Sequence, residues 1–437
     1  MPVVIKELDI VVAQCLAFLD AAGVAPQQPL ISAVSGGPDS LALAIIMQQV
    51  SARRGSAHSA VIIDHGFRAE ARSEAENAAT QLAKLGIVSQ ITPLLSPKPS
   101  GNLQEFARKH RLTLLAEAGR MRGAAICFGH HMYDQAETIY MRLAKDSGLK
   151  GLAGMPKLRM HEGCLFLRPL LETSPEILKQ ICAHAQMVPA QDPSNEDRRF
   201  ERVRVRQHLR AEPQFVPNLL RLGEAAKTIS TSLDTVLKDR IRRHLHWQLP
   251  YCGSIQASCF LSLPEMLRHR CLALMLQTIG RNDYTAPRAA IARLDAHLMK
   301  GRDATLAGCL VRILDGQIHF VREARHLPEA IIIEGAESRI FDDCWLITGQ
   351  SGMRWTALGA KRYAELPKKA LLRRYLSRWP YPARLRFPVL DPLDEEAGAP
   401  HFKDMDAWIV EPERVENPFE LRLPITFADS ITSWPTG

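Results

Sequence analysis

Three polar clusters in the first third of the chain carry residue types suited to holding phosphate and positive charge. The first is Ser35-Gly36-Gly37-Pro38-Asp39-Ser40, which follows the apolar residues 30–34 and precedes the apolar residues 41–47. That order reads as strand, glycine turn, helix. Two glycines let backbone N–H groups converge with no Cβ in the way, and Pro38 suits an opening helical turn. Ser35 and Ser40 add hydroxyls beside the positive end of the helix dipole, so the turn is built to cradle phosphate. It lacks the lysine and the spacing of G-x-x-x-x-G-K-[ST], which separates it from that loop class. The second cluster is Asp64-His65-Gly66. The third is His130 with His131, Asp134 and Glu137. Asp134 and Glu137 are three apart and share one helical face, with His131 one turn earlier. That face can hold magnesium or an ammonium group. Two other readings stand beside it: a solvated first turn, where acids suit the dipole, and a metal site, although the spacing is not H-E-x-x-H.

The elements that must position these clusters alternate. Residues 59–63 form a short, partly β-branched apolar run that stops at Asp64, as a buried strand does. Ala71, Ala75, Ala78, Leu82 and Leu85 recur at helical spacing and Gly86 caps them; residues 87–92 read as a strand. Leu103, Ala107, Leu114 and Ala118 mark a helix, residues 124–128 a strand, and residues from about 130 to 145 another helix. Repeated βα units imply a parallel sheet with helices on both faces, whose ligands bind at the carboxyl ends of the strands. All three clusters fall at such ends.

Bulk properties agree with an ordinary globular chain of two or three domains: 437 residues, 46% hydrophobic and 23% charged. A net charge of +8 and a pI near 9.0 favour a polyanionic partner. The nine cysteines include no C-x-x-C pair, which reads as buried free thiols in a reducing compartment. Acids near the amino terminus and the lack of any long apolar run speak against a signal peptide or a membrane span, so a cytoplasmic protein is expected.

The pattern S-G-G-x-D-S resembles the pyrophosphate loop of the N-type ATP pyrophosphatases, which split ATP into AMP and pyrophosphate while adenylating a carbonyl oxygen. Together with Asp64-His65-Gly66-Phe67-Arg68, Gly101-Asn102-Leu103, residues 131–138, Leu167-Arg168-Pro169-Leu170-Leu171 and Asp192-Pro193-Ser194-Asn195, it resembles the tRNA(Ile)-lysidine synthases in order and spacing. The resemblance is specific over residues 30–210 and weaker to about Pro328. It implies a ligase that uses ATP and magnesium to attach L-lysine to the wobble cytidine of a tRNA(Ile) with a CAU anticodon. It implies an adenine nucleotide alpha hydrolase-like α/β domain over residues 1–215, a mainly helical domain over 216–325 and a small β-containing domain over 326–437. Neither a membrane nor a protein partner is implied.

Position by position, the resemblance assigns Ser35, Gly36, Gly37, Pro38, Asp39 and Ser40 to ATP, with Asp64 and His65 bordering the adenosine. Asp39 helps place magnesium on the phosphates. His131, Asp134 and Glu137 take the lysine, with Asp134 accepting its proton, so Asp39 and Asp134 are the catalytic candidates. The chain departs from the family pattern at Tyr133, at Lys145-Asp146-Ser147-Gly148 and at Val203. Two basic stretches suit RNA: Arg198, Arg199, Arg202, Arg204 and Arg206, read as a helix with a phosphate-facing stripe, and Lys368, Lys369, Arg373 and Arg374, interleaved with tyrosines and tryptophan. Residues 391–437 give no reading. Two alternatives remain open: a tRNA 2-thiolation enzyme, which would normally need cysteine pairs, and a non-catalytic RNA-binding relative.

Overall fold

The computed structural model describes residues 6–64, 66, 71–94, 103–190, 197–249, 251–280, 285–333, 338–342, 345–348 and 353–392. His65, Phe67, Arg68, Gly101, Asn102 and 192–195, all part of the motif set, lie outside the described residues, as do 393–437. The chain divides into two compact units, Met1–Thr231 and Ser232–Gly437.

The first unit contains α1 (Lys6–Ala21), β1 (Leu30–Val34), α2 (Pro38–Arg54), β2 (His58–Asp64), α3 (Ala71–Lys84), β3 (Ser89–Pro93), α4 (Leu103–Arg122), β4 (Ala125–Phe128) and α5 (Met132–Ala144). It continues with α6 (Leu149–Leu152), β5 (Leu158–His161), β6 (Cys164–Leu167), α7 (Pro175–His184), α8 (Glu201–Ala211) and α9 (Phe215–Ile241), the last running on into the second unit. The six strands form one sheet in the order β3-β2-β1-β4-β6-β5, parallel throughout except for the edge strand β5, which pairs antiparallel with β6. From β1 the chain winds outward first through β2 and β3, then the other way through β4 and β6. The crevice between the carboxyl ends of β1 and β4 is therefore the switch point where open α/β sheets bind ligands.

α2 is apolar nearly all round because it is covered on both sides. Ser40 to Met47 are all buried, packed on β1 and β2 below and on α1 and α7 above. A helix exposed on one face would show a polar stripe; this one shows none until its second half. Its start is fixed against β4 by Gly129, where a Cβ would stand 2.8 Å from the Asp39 carbonyl oxygen and 3.2 Å from the Ser40 Cα. Both are backbone atoms and cannot swing away. Gly129→Ala is therefore expected to cost about 1–3 kcal/mol of stability and to cut nucleotide turnover, which thermal denaturation and a pyrophosphate assay would check.

The second unit begins with a five-stranded antiparallel sheet, β7 (Leu245–Leu249), β8 (Cys252–Gln256), β9 (Ala304–Leu306), β10 (Cys309–Leu314) and β11 (Gln317–Arg322), ordered β7-β8-β11-β10-β9. Helices α10 (Ala257–Leu261), α11 (Glu265–Gly280) and α12 (Arg288–Leu298) belong to the same layer pair, and Leu272, Met275, Leu276 and Phe320 are buried at its core. In the sequence, residues 264–279 and 287–298 read as helices and residues 304–314 and 317–321 as short strands, which predicts α11, α12 and β9 to β11. The pattern does not lead to β8, whose residues alternate irregularly, or to β7, whose alternation Leu245-His246-Trp247-Gln248-Leu249 spans only five residues. Towards the carboxyl end, β12 (Ile331–Ile332), β13 (Ser338–Phe341), β14 (Trp345–Thr348), β15 (Met353–Ala357) and β16 (Pro388–Pro392) surround three short helices, α13 (Gly359–Glu365), α14 (Leu371–Leu376) and α15 (Tyr381–Leu385). Trp345, Trp379 and Phe387 pack in this second core. Among the described residues no helix is long and apolar enough to cross a membrane.

Candidate active site

The glycine turn after β1 is closed on one hydroxyl. Ser40 Oγ accepts the Ser35 N–H at 3.1 Å and the Ser35 hydroxyl at 3.2 Å, and donates to the Gly37 carbonyl at 2.9 Å. Gly36 takes φ +83°, a conformation costly for any residue with a Cβ, and its carbonyl accepts the Ala190 N–H at 3.0 Å. Gly37 is the N-cap of α2 and supplies no side-chain oxygen to the N–H groups of the first turn. Those donors and the dipole behind them face the crevice mouth, an arrangement that suits an anion. A cleft of about 200 Å³ opens beside Gly36, lined by Glu74, Asn77 and Gln81 of α3 and by residues 188–190. Asp64 stands at the end of the neighbouring strand, where its Oδ1 accepts the Gly66 N–H at 3.0 Å.

Asp39 joins this turn to the third cluster. Its Oδ2 lies 3.5 Å from His131 Nε2, which lies 3.6 Å from Asp134 Oδ2; the Asp39 Oδ1 is buried with no hydrogen-bond partner among the described residues. His131 is also the N-cap of α5: its Nδ1 accepts the backbone N–H groups of Tyr133 and Asp134, and Asp134 returns the bond by accepting the His131 N–H at 3.1 Å. This is a capping box with imidazole in the usual serine position. Burial pulls the His131 pKa down, but the Asp39 hydrogen bond and the charges of Asp134, Asp39 and Glu137 outweigh it and leave it above its ordinary value. A proton on Nδ1 would gain those carboxylates and lose the cap.

Asp134 and Glu137 share a face of α5, as their spacing predicts, and that face is buried rather than solvated: Glu137 has no exposure at all. Their charge is met by α8. Arg202 Nη2 donates to Asp134 Oδ1 at 2.9 Å and its Nε to Glu137 Oε2 at 2.8 Å; Arg206 Nε donates to Glu137 Oε1 at 2.8 Å. Burial alone would raise the Asp134 pKa; His131 and Arg202, then His130 and the His131 N–H, turn the net direction downward from the ordinary 3.8. A depressed carboxylate contributes stability that is present above its unfolded pKa and lost as pH falls through the folded one. The stability gap between wild type and Asp134→Asn is accordingly expected to narrow below about pH 4, measured by urea unfolding across pH.

Two arginines expected on a phosphate-facing stripe thus stand against the acid pair. Arg202 and Arg206, four apart on α8, lie on one face of it and so reach carboxylates three apart on α5. Val203, at the departure from the family pattern, is buried, and α8 docks on α5 through Val205 and Leu209. Of the remaining basic residues, Arg198 bonds Gln207, Arg199 pairs with Asp197, and Arg204 donates to the Arg198 and Arg199 carbonyls. In the second unit Arg373 donates to the carbonyls of Tyr363, Ala364 and Leu366 with its guanidinium 5.2 Å from the Tyr363 ring centre. Lys368, Lys369 and Arg374 are exposed, with no ion pair among the described residues.

Comparison with known proteins accords with this geometry. The family described as the PP-loop domain matches residues 8–212. A tRNA(Ile)-lysidine synthase of Ruegeria pomeroyi is 31% identical over 336 residues, covering 74% of this chain and 77% of its own length. Others of that description, from Bradyrhizobium diazoefficiens and Novosphingobium aromaticivorans, are 33% and 34% identical and are covered over 88% and 91% of their lengths. With a PP-loop domain over residues 8–212 and similarity running well past it, the chain belongs to the tRNA(Ile)-lysidine synthase family.

Proposed function

We propose that this chain forms lysidine in tRNA(Ile), using the glycine turn for ATP and the α5 acids for lysine. The chemistry needs two steps. The 2-carbonyl oxygen of the wobble cytosine attacks the α-phosphorus of ATP and pyrophosphate leaves. The neutral ε-amine of lysine then attacks C2, and the former carbonyl oxygen departs as part of AMP. Adenylation is required because that oxygen is otherwise a poor leaving group, and the amine must lose a proton because an ammonium has no lone pair to attack with.

The observation that carries the reading is the chain of contacts Asp39–His131–Asp134, which ties the phosphate turn to the acid pair within a few ångströms. Nucleotide and amine would meet across one imidazole. Ser35, Gly36, Gly37, Pro38 and Ser40 would shape the phosphate cradle, and Asp64, at the end of the neighbouring strand, would border the adenosine; His65, assigned with it, lies outside the described residues. The Oδ1 of Asp39, which has no partner among the described residues, would hold a magnesium ion, and magnesium would neutralise charge on the departing pyrophosphate. His131, Asp134 and Glu137 would receive the ammonium, which must then exchange with the guanidinium groups of Arg202 and Arg206. Asp134, partly accessible where Glu137 is not, is the better placed to take the proton. Arg198, Arg199, Arg204, Lys368, Lys369 and Arg374 would meet RNA phosphates.

The test is incorporation of labelled lysine into an in vitro transcribed tRNA(Ile) with a CAU anticodon, in the presence of ATP and magnesium. Label should enter with one AMP and one pyrophosphate released per lysine. Binding of that tRNA with AMP formation but no label would keep the nucleotide chemistry and refute lysine as the second substrate.

A further inference from the structure

On the α4 side of the same sheet end lies a group of cations that the proposed chemistry does not use. Arg168 follows β6, is 9% exposed, and donates from Nη1 to the Pro156 carbonyl at 2.9 Å; its Nε is buried and has no hydrogen-bond partner among the described residues. Its guanidinium carbon is 5.6 Å from the centre of the Phe128 ring, and the His130 ring stacks on the same phenylalanine at 5.8 Å. His130 Nδ1 is likewise buried and partnerless. Arg111, on α4 one turn before the buried Leu115, brings a third such atom, its Nε. Arg108, one turn earlier, is exposed.

The electrostatics of the group are one-sided. Burial, then Arg159 and Arg108, lower the Arg168 pKa to about 10; burial, then Arg108, lower that of Arg111. Burial takes His130 to about 3: Asp134 alone raises it, while Arg168, Arg111 and Arg202 press it further down. None of Arg108, Arg111 and Arg168 has an ion pair among the described residues, and Asp134 already serves Arg202 and His131. Gathering arginines with buried, unbonded donors is costly unless an anion joins them. Arginine forks match tetrahedral oxyanions, and a neutral His130 can donate one further bond.

We propose that Arg111, Arg168 and His130, with Arg108 at the rim, form a phosphate-binding subsite at the carboxyl ends of β4 and β6. The inference rests on the lysidine-forming reading, because it adds a phosphate contact to that same site. The phosphate belongs either to ATP or to the RNA backbone beside the target base. Its place across β4 from the glycine turn allows both sources, and their chemistry is the same.

The experiment measures, for the full chain, affinity for α,β-methylene-ATP with magnesium and, separately, for the CAU-anticodon tRNA(Ile) transcript over a range of salt, in wild type, Arg111→Gln and Arg168→Gln. At least a tenfold loss for one probe is expected, with a melting temperature in the absence of probes that is unchanged or higher. Loss confined to the ATP analogue assigns the subsite to the nucleotide. Loss for tRNA, with the salt slope reduced by about one, assigns it to the RNA backbone. Affinities within twofold of wild type for both probes overturn the proposal, whatever the melting temperature. Should a glutamine variant fail to fold, Arg111→Lys and Arg168→Lys, which keep the charge and lose the fork, carry the affinity reading with the salt slope unchanged. Lysidine formation by wild type is the control: its failure counts against the function, whereas active wild type with unchanged variant affinities counts against the subsite alone.

Discussion

Asp39→Ala is expected to lower pyrophosphate release, assayed with tRNA, ATP and magnesium, by about 10³-fold or more while leaving folding stability within about 1 kcal/mol of wild type. The two halves of this expectation come from different atoms. Oδ1 is buried with no partner among the described residues, so its removal relieves a desolvation cost. Against that, Asp39 sits in the first turn of α2, where a carboxylate gains about 0.3–1 kcal/mol from the dipole, and its Oδ2 has the His131 contact at 3.5 Å. Gain and loss are of similar size and largely cancel. Function has no such compensation, because the same oxygen is the one proposed to reach magnesium on the phosphates. A variant that loses activity in proportion to a lowered melting temperature would sink this account and make Asp39 a structural residue.

The parallel sheet was legible because β1, β2 and β4 each stop at a polar cluster, and a strand that ends on Asp64 or on His130-His131 announces a carboxyl edge. The glycine turn was legible for a similar reason: its residue types are constrained by backbone geometry, and Gly36 at φ +83° is a local fact. Partners distant in sequence were not legible. Arg202 and Arg206 read as a basic stripe since nothing local says that α8 folds back on α5, and only the packing of Val205 and Leu209 against Ala136 and Ile139 brings guanidinium to carboxylate. Arg373 shows the same limit at shorter range. The basic and aromatic composition around it suggested RNA, but the last turn of α13 and Leu366 just past it present three carbonyls to it. β5 and β7 alternate apolar with polar over only four and five residues and have no strand run beside them in sequence that was itself legible, too little for the pattern to mark a strand.

The paired substitution Arg202→Ala with Arg206→Ala should cost about 3–5 kcal/mol, well beyond the sum of the two singles. Glu137 is fully buried, and each arginine holds one of its oxygens at 2.8 Å. Either single change leaves one guanidinium on the carboxylate. Removing both leaves a buried charge with no cation. Adding Glu137→Gln to the pair should therefore restore most of the stability, which urea unfolding would read directly. The same variants test where lysine binds. A ligand that fills the vacated charge stabilises by RT ln(1 + [L]/Kd), about 2.7 kcal/mol at a hundredfold excess over Kd. Free lysine should accordingly raise the melting temperature of the doubly substituted chain more than that of wild type, whose guanidinium groups compete for the same oxygens. It should do nothing once Glu137→Gln is present. Singles that add would mean that the two arginines do not share the Glu137 charge, and a lysine effect that survives loss of that charge would mean that the ammonium is held elsewhere. The guanidinium pair would then be a permanent part of the fold and not a partner that lysine replaces.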